Sequence, residues 1–207
     1  MSTRWPTEAM SHESVTLEPL SRDHIPGLQL AADGPRDDPD FATPPTPETA
    51  TDYVEQSLAR ATRGETIPFA QLLDGRVVGH TAYLTLRPWP DGERLLAVEV
   101  GSTWLHGSVR GTAVNSAAKL LLLTHAFESW EVARVDVKTD ARNERARAAI
   151  VAIGARFEGV LRNWQPSAAL GEHSRPRDTA MHSLTAAEWP AAKHALELRI
   201  ARKRDRR

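Results

Sequence analysis

Residues 104–115, Trp104-Leu105-His106-Gly107-Ser108-Val109-Arg110-Gly111-Thr112-Ala113-Val114-Asn115, combine the residue types needed to hold an anion. An apolar run ends there, a second begins at Val114, and small residues lie between them. Such a junction lets several backbone N–H groups point outward together, and a helix N-terminus adds a dipole that favours phosphate or pyrophosphate. The stretch lacks both the GxxxxGK of a P-loop and the GxGxxG of a dinucleotide fingerprint. On residue types alone, an ordinary strand-to-helix turn explains it as well. Glu99 is the second candidate, on a strand face shared with Ala97 and Gly101. A lone carboxylate on an otherwise apolar face is suited to accept a proton, because burial raises its pKa. A strand residue paired with a neighbouring cation is the equal alternative. Cysteine is absent, which removes disulfides, thiolate zinc sites and a cysteine nucleophile. The eight histidines show no ligand spacing, so no metal is expected.

These candidates need a strand, a tight turn and a helix in succession, and the hydrophobic periodicity provides them. Residues 15–20 alternate as a first strand, followed by a short helix near 23–32. The proline- and aspartate-rich stretch 34–47 is a loop, a surface connection or else a wall of an acceptor pocket. Helical spacing returns over 47–62 through Ala50, Tyr53, Val54, Leu58 and Ala61. Strands 67–73 and 76–84 flank Asp74-Gly75, the signature of a type I′ hairpin, and a third strand, 95–105, follows Asp91-Gly92. A nearly all-apolar helix spans 114–127, and 132–139 alternates as a strand. The next helix carries Ala146, Ala149, Ile150 and Ile153 as its buried stripe, with Gly154 as C′ residue. Two strands, 157–163 and 178–184, precede a final helix announced by the capping box Thr185 to Glu188. The order β-α-α-β-β-β-α-β-α-β-β-α is that of a single α+β domain, a mixed, mostly antiparallel sheet flanked by helices. The expected division is a tail over 1–14, the domain over 15–190 and a basic helix end over 191–207.

The bulk properties agree with an ordinary globular chain. Its 207 residues are 41% hydrophobic and 26% charged, with a formal charge of -1, so no global field draws it to nucleic acid or anionic membrane. The apolar run 120–123 is far too short to span a bilayer, and the N-terminus has no apolar core of a signal peptide. Cytoplasmic location is the expectation. Arg199, Arg202, Lys203, Arg204, Arg206 and Arg207 suit a helix C-terminus without any partner, and no aromatic residue interleaves them, so nucleic-acid binding is not expected.

The set Glu99-Val100-Gly101-Ser102-Thr103-Trp104-Leu105, then Arg110-Gly111-Thr112-Ala113-Val114-Asn115, the helix 119–127, Asn143 and Gly154-Ala155 resembles the GNAT acyl-CoA N-acyltransferase superfamily. Within it the chain looks like the branch of ribosomal-protein N-terminal (alanine) acetyltransferases, over residues 15–189. The resemblance implies acetyl-CoA as donor, CoA as product, and a small-molecule or peptide amine as acceptor. It assigns the CoA pyrophosphate to Arg110, Gly111, Thr112, Ala113, Val114 and Asn115, with Ala113 where the family usually has glycine and Asn115 where it has a small residue. The pantetheine arm would run beside Thr103, Trp104 and Leu105, and Asn143 would touch it while also capping its helix. Glu99 would be the general base, and a strand N–H would stabilise the oxyanion. Ala146 and Ile150 stand where many members place a tyrosine or serine acid, so water, Ser102, Thr103 or His182 would protonate the thiolate. Asp178 and Trp164, with Trp89, would border the acceptor, although a strand-start carboxylate bonded to local N–H groups explains Asp178 as well. Two other readings stay open, a catalytically weak ligand sensor and a transferase with another donor such as an aminoacyl ester. An edge strand offers a way to pair two copies.

Overall fold

A computed structural model of the chain describes residues 5, 7–34, 41, 44–169, 171–172 and 174–205. Strands β1 (Met10–His12) and β2 (Val15–Pro19) precede helices α1 (Ile25–Ala32) and α2 (Ala50–Thr62). Strands β3 (Thr66–Leu73), β4 (Arg76–Pro88) and β5 (Leu95–Leu105) form a meander leading to α3 (Val114–Thr124). Then follow β6 (Arg134–Asp140), α4 (Glu144–Val151), β7 (Arg156–Pro166), β8 (Pro176–Thr185) and α5 (Trp189–Arg204). All eight strands join one sheet in the order β1-β2-β3-β4-β5-β6-β8-β7. Only β5 and β6 are parallel; every other pair is antiparallel.

Local chemistry accounts for most of these boundaries. Asp74 and Gly75 both take positive φ, 50° and 74°, the backbone a type I′ turn demands. Asn143 caps α4 by accepting Ala146 N–H at 2.9 Å, and Glu188 closes the capping box by accepting from Thr185 N at 3.0 Å. Gly154, at φ 93°, lets the chain leave α4 where a Cβ would stand 2.6 Å from Ala192 Cβ.

The structure differs from the sequence expectation where tertiary contacts decide. Met10–His12 adds an edge strand within the segment assigned to a tail. β4 continues to Pro88, through left-handed Thr85 at φ 49°. The helix predicted over 114–127 turns π-helical at His125–Ser129, just beyond the point where Tyr83 donates its hydroxyl to Leu122 O at 2.6 Å. In α4 only Ile150 of the expected stripe is buried, with Ile153 just beyond the helix, while Ala149 is exposed. Most of the proline-rich loop 34–47 lies outside the described residues, as do Arg206 and Arg207.

α1 and α2 cover one face of the sheet, packing Leu28, Ala31 and Val54 against Ala70, Leu72 and Trp104. α3, α4 and α5 cover the other over the main core, where Tyr83, Val98, Val100, Val135 and Leu122 meet. Among the described residues no helix is long and apolar enough to cross a membrane.

Candidate active site

The sheet opens along its centre. β5 and β6 pair only over Ala97–Glu99 and Arg134–Asp136, yet β5 continues to Leu105 and β6 to Asp140. Beyond Glu99, β5 keeps β4 on one side and, among the described residues, has no strand on the other. Backbone groups pointing into such a gap are strong hydrogen-bonding groups in want of a partner. A bulge marks the opening: Ser102 takes φ 47°, and the register with β4 shifts between His80 and Ala82. His80 holds this bulge, its Nδ1 lying 2.9 Å from Ser102 O and 2.9 Å from the Tyr53 hydroxyl. Burial pushes the His80 pKa down to about 4, so the ring is neutral, and a carbonyl partner puts its one proton on Nδ1. Trp104 Nε1 donates to the same Tyr53 hydroxyl at 3.2 Å, tying α2 to the strand.

At the end of β5 the chain turns sharply into α3. Gly111 takes φ 78°, and a Cβ there would meet nothing within 4 Å. Thr112 Oγ1 accepts from Val114 N at 3.3 Å and donates to Val109 O at 2.7 Å. The amides of Gly111, Ala113, Asn115 and Ser116 donate to no acceptor among the described residues, as the first turn of a helix leaves them. Cations gather here. Arg110 Nε donates to Leu105 O at 3.0 Å, and Lys203 Nζ, from the far end of α5, donates to Thr112 O at 2.9 Å. Asn115 Oδ1 is sealed without a partner. Ala113 sits at the N-cap with φ -70°, so the position needs no glycine. Open space, unmatched amides and surrounding cations together fit a pyrophosphate.

Glu99 lies on the α1/α2 face and is 5% exposed. It is not alone. Thr85 donates to its Oε2 at 3.1 Å, and Lys138 on β6 pairs with the same oxygen at 2.9 Å. Lys138 Nζ also sits 6.0 Å from the centre of the Trp164 ring, so Glu99 and Trp164 meet through a residue the sequence did not single out. Asp178 is exposed and accepts Asn163 N–H at 2.9 Å, a bond from the neighbouring strand β7. Asn143 lies half-buried at the start of α4, and its Nδ2 has no acceptor among the described residues.

Thr103 faces the other way. Its Oγ1 lies 2.8 Å from Thr81 Oγ1 and accepts from Lys119 Nζ at 2.6 Å. The bulge at Ser102 reverses the strand's alternation, so Thr103 points to α3 while Glu99 points to α1 and α2. The structure therefore separates the two side chains expected to share the chemistry, and Thr103 meets the gap through its backbone. His182 is also remote from Glu99; it is fully buried beside Phe157, opposite Val137. Sequence reasoning missed Lys138, the contact of Lys203 with Thr112, and the grouping of His80 and Tyr53 around Trp104. Only strand pairing, or a contact spanning 91 positions in the case of Lys203, brings them in, and no local pattern carries that. Among the described residues no three acidic or histidine side chains gather to hold a metal.

Residues 14–156 match the model of the acetyltransferase (GNAT) domain family. A comparison with curated proteins gave no match. Among solved structures, a T. thermophilus protein assigned to the acetyltransferases is 32% identical, with a TM-score of 0.78 over 95% of this chain and 99% of that one. A GCN5-related N-acetyltransferase from Brucella melitensis shares the fold at 24% identity and a TM-score of 0.81, over 94% of this chain and 86% of that one. Mycobacterium smegmatis RimJ, solved with CoA-disulfide, shares it at 23% identity and a TM-score of 0.69, over 96% and 97% of the two chains.

Proposed function

We propose, from the premise that the chain belongs to the GNAT acetyltransferase family, that it moves an acetyl group from acetyl-CoA to a primary amine by direct transfer. The observation that carries this reading is the gap between β5 and β6, open at Ser102 and ending at the unmatched amides before α3. The loop from Arg110 to Asn115 would hold the pyrophosphate, the gap-side backbone of Thr103, Trp104 and Leu105 the pantetheine arm, and Asn143 its inner end. Bound there, acetyl-CoA supplies an activated thioester.

The chain's own residues do the rest. A primary amine is largely ammonium at neutral pH, and Glu99 takes its proton, directly or through water, with Lys138 and Thr85 fixing the carboxylate. An N–H of β5 beside the bulge donates to the oxygen that gains charge in the transition state. Water, or the exposed Ser102 hydroxyl, returns a proton to the thiolate. Asp178 and Trp164 border the acceptor.

Calorimetric titration with acetyl-CoA, CoA and ATP in parallel tests the donor assignment. Micromolar binding of both CoA species, and none of ATP, is the expected result. No heat with either CoA species would overturn it and bring forward the readings as a sensor or as a transferase with a different donor.

A further inference from the structure

Arg177 lies at the start of β8, and its charge has no ion-pair partner among the described residues. Thr179 stands opposite Asp140 and Met181 opposite Lys138, so strand alternation puts Arg177, Thr179 and Met181 on the face of Glu99, Lys138 and Asp140. Arg177 is 9% exposed. Its one described side-chain hydrogen bond runs from Nε to Thr179 Oγ1 at 3.2 Å. The neighbouring charges are already taken: Glu99 pairs with Lys138, and Asp140 and Glu172 both pair with Arg142. The terminal guanidinium nitrogens have no acceptor among the described residues, and they are not among the sealed polar atoms. The fork of Arg177 therefore keeps some access to solvent.

An arginine buried over most of its side chain, with a fork that no protein acceptor matches, carries a desolvation cost. Desolvation draws its pKa down, Arg142 adds to this, and the fields of Asp140 and Glu99 offset it only in part. The planar fork of two parallel N–H donors is matched by a carboxylate. Arg177 shares its sheet face with Glu99 and feels the field of that carboxylate, so a molecule held by the fork lies on the same face as the proposed base. We propose that Arg177 receives a carboxylate of the acceptor, so that the substrates are primary amines carrying a carboxylate a few bonds from the nitrogen. The proposal rests on the transfer reading above and adds the acceptor's chemical class to it.

Two matched pairs of probes test it: alanine against alaninamide, and the peptide amides Asp-Ala-Ala against Asn-Ala-Ala. The first pair presents the carboxylate of a free amino acid, the second the side chain of an acidic peptide N-terminus. Each probe is titrated calorimetrically into the CoA-saturated protein, and thiol release from acetyl-CoA is measured separately. In at least one pair the carboxylate member should bind roughly ten- to a hundredfold more tightly, and the pair that discriminates identifies the source. Arg177→Gln should bring that ratio close to one, while Arg177→Lys, which keeps the charge without the fork, should retain part of it. Equal binding within both pairs, or a ratio unchanged in both variants, would overturn the assignment even if amines are acetylated. Selective binding without thiol release would uphold Arg177 and count against the transfer reading alone.

Discussion

Lys119 lies between α3 and the sheet, 6% exposed, with two threonine hydroxyls and no carboxylate beside it among the described residues. Burial pulls its pKa from 10.5 down to about 7. Below pH 7 both folded and unfolded chains carry the proton, and the cost of burying it is full. Between about 7 and 10.5 the unfolded chain holds a proton the folded one has released, so stability rises with pH across that window. Lys119→Met should therefore stabilise the protein near neutral pH, by on the order of a few kcal/mol. Urea midpoints of parent and variant should converge between pH 7 and 10; a constant difference would remove the buried charge as the cause. Glu99→Gln keeps shape and loses the base. A fall of roughly a hundredfold or more in kcat/KM is expected. Parent-like rates across pH would exclude Glu99 as base. Glu99 was legible because strand alternation isolates a carboxylate among Ala97 and Gly101. Its partner was not, because Lys138 arrives through the parallel pairing of β6, about which no local pattern speaks.

The turn into α3 shows what an element contributes beyond its residues. At Gly111 the demand is conformational, a φ of 78° in open space, and a β-branched side chain resists that region. Gly111→Val should weaken acetyl-CoA binding about tenfold or more, because relaxing the backbone turns the amides away from the ligand. Gly64→Val supplies the control: its φ is 74°, again with nothing near a Cβ, but it lies at the far end of α2. It should lower the melting temperature and leave the calorimetric Kd unchanged; equal loss of affinity in both would trace the effect to general destabilisation. Elements signalled locally were legible in the sequence. Asp74-Gly75 marked the hairpin, and β5 falls on 95–105 as predicted. Elements settled by distant contacts were not legible. β1 exists because β2 offers it an edge, and α3 loosens into a π-turn beside a carbonyl that Tyr83 engages from another strand.

At the scale of the whole molecule, the sheet consists of two halves meeting over three residue pairs, with α3 and α5 packed together behind them. α5 reaches across to the turn before α3, where Lys203 holds the Thr112 carbonyl, so the basic helix end that the sequence presents as solvated also braces that turn. The outer edges are short or broken. β1 has three residues, and β7 is interrupted at Phe157/Gly159 and Leu161/Gln165, features that discourage edge-to-edge association. The inner edge, along β5 beyond Glu99, is backed by β4, whose antiparallel pairing resumes past the bulge and reaches Leu105. That difference has an entropic consequence. Donors on a flexible loop must be ordered when a ligand arrives, whereas those of β5 lose almost no freedom, since folding has already fixed them. The central gap is in this sense preorganised: any extended molecule able to act as its missing strand meets hydrogen-bonding groups already in position.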